Sequence, residues 1–463
     1  MYKKLFLWPS VALLLLPIAS YSQTTLSADI RSQIDNAVSD ALSSSGVPSA
    51  SIAIVKDKQI AYLHAYGEAR TEPRTSARPE MCYSIGSISK QFTATAILML
   101  AEDGKLSLDD PVSRYVPNLT RGNEVTIRQL LSHTSGYRDY WPQDYVPPFM
   151  LKEVKAQQIL DLWARKPLDF DPGTQWQYSN TNFVIAGLIV EKVSGMTLLD
   201  FLSRRIFTPL GMRSVTNIDQ NRLTDTDATG YTRYGLGPLR VAPKEARGWL
   251  FAAGELAMPA QDLAKWDISI MEQRLLKPAS YREFATDTLL KNGLGTGYGL
   301  GVNVSMQAGH RVLAHGGEVS GFTAENLVFP DDGVAIVVLT NEDAVDVSTT
   351  LGRKIAPLMF PAVSAETEES KAHEIFEQLQ QGKLDRARFT DNCNAYFSSQ
   401  ALADFVTGLG PLGKPASFTQ MTSSERGGMT FRLFQVRFSQ RTIQVWERVM
   451  PDGKVEQYQV MLN

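Results

Sequence analysis

The chain has 463 residues, 43% of them hydrophobic, which is ample for a large core and for two domains. Its formal net charge is −3 with a sequence pI of about 6.1 and no long basic run, so there is no electrostatic footprint for nucleic acid. Two cysteines, Cys82 and Cys393, exclude a cysteine/histidine zinc site by count.

Lys3 and Lys4 precede an apolar run from Leu5 to Ile18, and Ala19-Ser20-Tyr21-Ser22 offers the small residues a signal peptidase needs. Residues 1–22 therefore read as a secretory signal peptide, cleaved just after Ser22. A membrane anchor is the weaker reading, because the run is short and contains Pro9 and Pro17. No cysteine near the cleavage site offers a lipid anchor, and no other apolar stretch is long enough to span a bilayer. The expected location is periplasmic or secreted, with no stable membrane anchor. Cys82 and Cys393 fall in different predicted domains, so a disulfide between them is not favoured.

Ser27 to Leu42 reads as an amphipathic helix closed by Gly46-Val47-Pro48. Ala50 to Val55 and Gln59 to Gly67 follow as a hairpin turning at Lys56-Asp57-Lys58, with His64 a simple strand residue. Next comes Tyr83-Ser84-Ile85-Gly86-Ser87-Ile88-Ser89-Lys90-Gln91-Phe92, which ends a short apolar segment and opens a helix stopping at Asp103-Gly104. Ser87 and Lys90 are three apart, so both side chains share one face of the first turn. A serine hydroxyl is a poor nucleophile until a neighbouring base takes its proton, and a lysine whose pKa is lowered by burial can be that base. On its own, S-x-x-K also fits a chance surface pair.

Thr126 to Gly136 reads as a short helix running into a loop, where His133 is either a base or, more simply, a loop-holding residue. Tyr137 to Phe149 reads as irregular chain bordering a pocket. Asp171-Pro172-Gly173 is a turn, and Tyr178-Ser179-Asn180 precedes another helix, its phenol and amide pointing to one side. Leu236 to Gly254 fits a long loop, and Asp262 begins a helix. Strands are expected at Tyr298–Val304, Arg311–Ala314, Phe322–Phe329 and Val334–Thr340, the last two joined by a turn at Pro330-Asp331-Asp332-Gly333. Within this run His315-Gly316-Gly317 sits on a strand where missing side chains let a substrate backbone approach. Residues 359–370 have linker composition. Beyond them, helices around His373–Gln381 and Asn394–Leu409 precede strands at Met429–Phe438, Thr442–Met450 and Lys454–Leu462. This small α+β unit, 371–463, resembles the NTF2-like shape and carries no catalytic constellation; Trp446 reads as core.

Ser87-x-x-Lys90, Tyr178-x-Asn180 and His315-Gly316-Gly317, in that order, resemble the three active-site motifs of the serine β-lactamase and penicillin-binding superfamily, S-x-x-K, Y-x-N and K/H-x-G. Leu130 to Gly136, Pro209-Leu210-Gly211-Met212, Tyr298-Gly299-Leu300-Gly301 and Pro330 to Asn341 resemble phrases of its class C-like branch, over residues 28–358. The resemblance implies an α/β (α+β) β-lactamase/transpeptidase-like fold: an antiparallel sheet flanked by helices plus a mostly helical subdomain, with the site between them. It implies Ser87 as nucleophile, Lys90 and Tyr178 sharing the base role, and Asn180 orienting Lys90 and holding a substrate amide. His315 and Gly317 would bind substrate, and the backbone N–H groups of Ser87 and Glu318 would form the oxyanion hole. No cofactor or metal is implied. The partner is a small-molecule or peptide substrate.

His315 stands where many β-lactamases carry lysine, and neutral imidazole holds a substrate carboxylate less strongly than an ammonium does. The absence of a G-x-S-x-G elbow argues against an α/β-hydrolase. The expected function is hydrolysis of an ester or amide (a D-amino-acid peptide, an ester or a β-lactam) through an acyl-enzyme. The alternative is a penicillin-binding-like sensor or scaffold that acylates without turnover, or binds a partner through its C-terminal unit.

Overall fold

Ser27 accepts the Ile30 N–H and so caps α1 (Ala28–Ser45), which ends at Gly46 in the left-handed region. The computed structural model describes residues 25–141, 146–307, 309–360 and 365–462; the expected signal peptide at 1–22 lies outside the described residues. Ile34, Val38 and Ala41 recur on one face of α1 and are buried. The hairpin follows as β1 (Ser49–Lys56) and β2 (Gln59–Thr71), turning through Asp57 and Lys58, both at positive φ. A short β3 (Arg74–Ser76) extends it. The helices that carry or support the site are α2 (Ser89–Glu102), α3 (Ile127–Leu131), α4 (Asn180–Ser194) and α5 (Ala260–Met271). Strands β4 (Asn303–Gln307), β5 (His310–Val319), β6 (Phe322–Phe329) and β7 (Val334–Thr340) then lead to α6 (Val347–Met359).

These strands form one antiparallel sheet of seven in the order β3-β2-β1-β7-β6-β5-β4. Its central strands are apolar on both faces, as a doubly covered sheet requires. Ile52 and Ile54 of β1, with Ile336 and Val338 of β7, meet Ile34 and Val38 of α1 and Leu351 and Ile355 of α6. The alternate residues Ala53, Val55, Val337 and Leu339 face the opposite core with Phe92, Ile97, Phe183 and Trp266 from α2, α4 and α5. Helix α2 is buried from Ser89 through Leu100, so it threads the molecule's centre rather than lying on its surface.

Three expectations need correction. Residues 298–302 are not strand: Gly297 and Gly301 adopt positive φ and break the run, so pairing begins at Asn303. The linker expected at 359–370 is helix at both ends, since α6 reaches Met359 and α7 spans Ala365–Gln380. The Glu-rich composition read as linker is equally that of a good helix former; residues 361–364 lie outside the described residues. The single helix expected over 394–409 is two, α8 (Asp391–Tyr396) and α9 (Ser399–Leu409), because the Ser398 hydroxyl accepts the Ala401 N–H and starts a new helix.

The C-terminal unit closes with a four-stranded antiparallel meander, β8 (Ser417–Arg426), β9 (Met429–Arg437), β10 (Thr442–Val449) and β11 (Val455–Leu462). Its core joins Ile375, Phe376 and Leu379 of α7 to Phe434, Val436, Ile443, Val445 and Tyr458. Strand β8 was missed because Thr419, Gln420, Thr422, Ser423 and Ser424 give an edge strand little apolar signal. Trp446 is half-buried beside Phe431 rather than in the core. Cys82 and Cys393 are both free and buried.

Candidate active site

Ser87 lies in a 3-10 turn, Gly86–Ile88, that feeds directly into α2. Gly86 holds φ +51, and a Cβ there would come 2.6 Å from the Glu318 nitrogen. A Cβ on Gly317 would come 1.9 Å from the Ile85 carbonyl oxygen. The two glycines thus let the nucleophile's turn press against β5, bringing the Ser87 and Glu318 backbone together at one edge of the cleft. Gly317 was expected to make room for substrate backbone; the space it leaves is taken by the protein's own turn. Gly316 is the exposed one, with no atom closer than 3.6 Å to where its Cβ would sit.

One turn along, Lys90 is fully buried and its Nζ reaches three oxygens: Ser87 Oγ at 2.9 Å, Asn180 Oδ1 at 2.7 Å and the Ala253 carbonyl at 2.7 Å. None is a carboxylate. Burial pushes the amine down from 10.5 to about 7, with the Asp139 charge pulling the other way. With the amine neutral, the 2.9 Å contact reverses and the Ser87 O–H donates to Nζ. The Ala253 carbonyl comes from the long loop before residue 254, so the loop's tip is part of the site.

Tyr178 closes the triangle. Its phenol lines the same cleft as Ser87, and its ring centroid lies 5.0 Å from Lys90 Nζ. Burial raises the phenol's pKa above its ordinary range, so it keeps its proton at neutral pH. Asn180 opens α4.

His133 serves as the loop holder: its Nδ1 accepts the Ser179 N–H at 3.1 Å, its carbonyl accepts the Gln177 N–H, and its ring lies tilted against Tyr178 with centroids 4.3 Å apart. Burial holds it neutral. His315 donates from Nδ1 to the Gly316 carbonyl at 2.6 Å, which leaves Nε2 to accept the Tyr298 hydroxyl at 3.0 Å. Burial and the Lys90 charge push it down to about 4. It is a neutral imidazole with both nitrogens engaged.

Ser87, Tyr178, Asn180, His315, Gly317 and Glu318 all line one cleft of about 570 Å³, to which Tyr140, Trp141, Leu250, Val319 and Val345 add largely apolar surface. The structure thus gathers every predicted site residue, with Lys90 beneath the cleft floor. Sequence reasoning missed three contributors: Ala253, Tyr298 and Asp139. Asp139 is a carboxylate behind Asn180 that burial raises to about 6. Its sequence signals were its place just after the Leu130–Gly136 phrase and within the Tyr137–Phe149 chain expected to border a pocket.

A family profile described as Beta-lactamase matches residues 34–356. The chain belongs to the beta-lactamase family. A D-aminopeptidase from Brucella anthropi is 30% identical over 298 residues, covering 64% of this chain and 56% of that protein. Penicillin-binding protein 4* from Bacillus subtilis is 30% identical over 300 residues, covering 61% of this chain and 66% of that one. The match thus spans between about half and two thirds of these relatives' lengths. Among solved structures, a D-stereospecific amidohydrolase from Streptomyces sp. aligns with a TM-score of 0.62 at 28% identity, over 72% of this chain and 99% of that one. The octameric penicillin-binding protein homologue from Pyrococcus abyssi aligns with a TM-score of 0.65 at 21% identity, over 93% of this chain and 99% of that one. At that coverage the shared fold takes in most of the C-terminal unit as well as the beta-lactamase part.

Proposed function

We propose that this member of the beta-lactamase family is an exported serine hydrolase that cleaves amides or esters of D-amino acids through an acyl-enzyme on Ser87. The observation that carries the reading is the 2.9 Å contact between the Ser87 hydroxyl and a fully buried Lys90 amine that no carboxylate touches. Such an amine is neutral in about half the molecules near pH 7 and can take the serine proton as Oγ attacks the substrate carbonyl. The carbonyl oxygen gathers charge against the backbone N–H groups of Ser87 and Glu318. Tyr178, which shares the cleft with Ser87 and lies over Lys90, passes a proton to the departing nitrogen or oxygen and recovers it from the Lys90 side. The resulting ester on Ser87 is released by water activated on the same Lys90–Tyr178 pair.

The cleft wall supports the substrate class. Of the described side chains lining it, Glu318 and Asp346 are the charged ones, and His315 has no free donor for a carboxylate. A substrate with an uncharged or ammonium-bearing end suits this lining, and the apolar residues Leu250, Val319 and Val345 suit its hydrocarbon. The relatives named D-aminopeptidase and D-stereospecific amidohydrolase favour the same class.

The test is a substrate panel on the purified mature chain: D-amino-acid amides, short-chain nitrophenyl esters, D-alanyl-D-alanine peptides and a chromogenic cephalosporin. The expected kcat/KM for amides and esters exceeds that for the carboxylate-bearing compounds by about 10–100-fold, the value of one missing charge-assisted hydrogen bond. A stoichiometric burst that stops would instead mark an acylating sensor. Preferential hydrolysis of the cephalosporin would overturn the substrate assignment.

A further inference from the structure

Asp139 does not touch the nucleophile, but it grips the residue that faces the base. Its Oδ1 accepts the Asn180 backbone N–H at 2.9 Å and the Trp141 N–H at 3.2 Å. Asn180 Nδ2 lies 3.3 Å from Oδ1 and 3.2 Å from Oδ2. With Nδ2 held there, Asn180 Oδ1 turns to Lys90 Nζ at 2.7 Å. Rotated end for end, the amide would set its N–H₂ group against the amine and its carbonyl against the carboxylate, two repulsive contacts in place of two attractive ones.

We propose that Asp139 is a positioning residue: it locks the Asn180 amide with its carbonyl on Lys90 and places a carboxylate charge behind the amine that faces Ser87. The inference rests on the reading of Lys90 as the base. Burial of Asp139 is opposed by the Trp141 and Asn180 N–H groups and by the Lys90 charge, so the carboxylate is ionised at neutral pH. Its charge in turn favours the ammonium form of Lys90 against the desolvation that lowers it. Among the described residues the other groups nearby are accounted for, with Tyr140 kept protonated by burial. His133 and His315 are held neutral, Tyr178 keeps its proton, Arg138 pairs with Asp169, and Lys166 lies over the Trp163 ring. Removing the Asp139 charge therefore has one direction of effect: Lys90 gives up its proton at lower pH.

Asp139→Asn, Asp139→Ala and Asp139→Glu are compared with wild type by two readouts, with melting temperature reporting the fold. The first is the titration of Lys90 itself, by NMR of protein labelled at lysine Cε and assigned by the signal lost in Lys90→Met. The second is the pH dependence of Ser87 labelling by a fluorophosphonate. In Asp139→Asn and Asp139→Ala the Lys90 titration and the acid limb of labelling both move to lower pH. The maximal labelling rate falls about 10–100-fold as Asn180 loses its orientation. Asp139→Glu keeps the charge and leaves the titration near wild type while the rate still falls. A Lys90 titration at or above the wild-type pH in Asp139→Asn overturns the inference, as does a Glu variant that shifts Lys90 as far as Asn does. Wild-type protein that is never labelled at Ser87, yet whose Lys90 titration answers to Asp139, would sink the hydrolase reading and leave this one standing.

Discussion

Ser87→Ala is expected to lower kcat on the best substrate by about 10⁴–10⁶-fold, the range found when a serine nucleophile is removed from a site whose parts act as a unit. The variant should fold as wild type does. Ser87 sits in a 3-10 turn stabilised by backbone bonds, among them Ile88 N–H to the Ile85 carbonyl, that do not use its side chain. KM should change far less than kcat, because the cleft and the Ser87 backbone N–H survive the substitution. Steady-state kinetics with a nitrophenyl ester checks this. A loss confined to KM would show that Ser87 binds rather than attacks.

Lys90→Met should cost about 10²–10⁴-fold in kcat/KM, the usual contribution of a general base. The pH profile gives the sharper signature. Lys90 must be neutral to accept the serine proton, and its folded value of about 7 lies below the ordinary 10.5, so the neutral fraction grows as pH rises through 7. Wild-type kcat/KM should therefore climb through an acid limb near pH 7 and then level off. Tyr178, pushed above its ordinary range, does not lose its proton in that window, and His315, near 4, has already lost its own. In Lys90→Met the limb near 7 disappears. A limb that persists unchanged would assign it to another group, with the Asp139 carboxylate, near 6, the first to consider.

Much of this site was legible in the sequence because its parts are local or motif-like. Ser87 and Lys90 meet through the geometry of one helical turn, and Tyr178 and Asn180 flank the start of α4. Fold class followed from the resemblance that the three motifs carry, and the structure bears it out in the doubly covered sheet, where alternate residues of Val334–Thr340 serve opposite cores. What stayed hidden was long-range. The Ala253 carbonyl carries no sequence signature, and its bond to Lys90 depends on how a long loop returns. Asp139 looks like any polar loop residue until Asn180 is found 41 positions later against its carboxylate. Tyr298 was read as strand, whereas glycine-bounded turns carry its hydroxyl to His315. The roles of Gly316 and Gly317 could be separated only once the Ile85 carbonyl was seen beside the second of them.

The account stands on a bond between substrate and Ser87 Oγ. Acid quenching during turnover of a slowly hydrolysed D-amino-acid ester, followed by digestion and mass spectrometry, should find the substrate's acyl group on the peptide containing Ser87. The same treatment of Lys90→Met should find little or none. Full turnover with no acylated Ser87 at any quench time, or an acyl group carried by another residue, would contradict it.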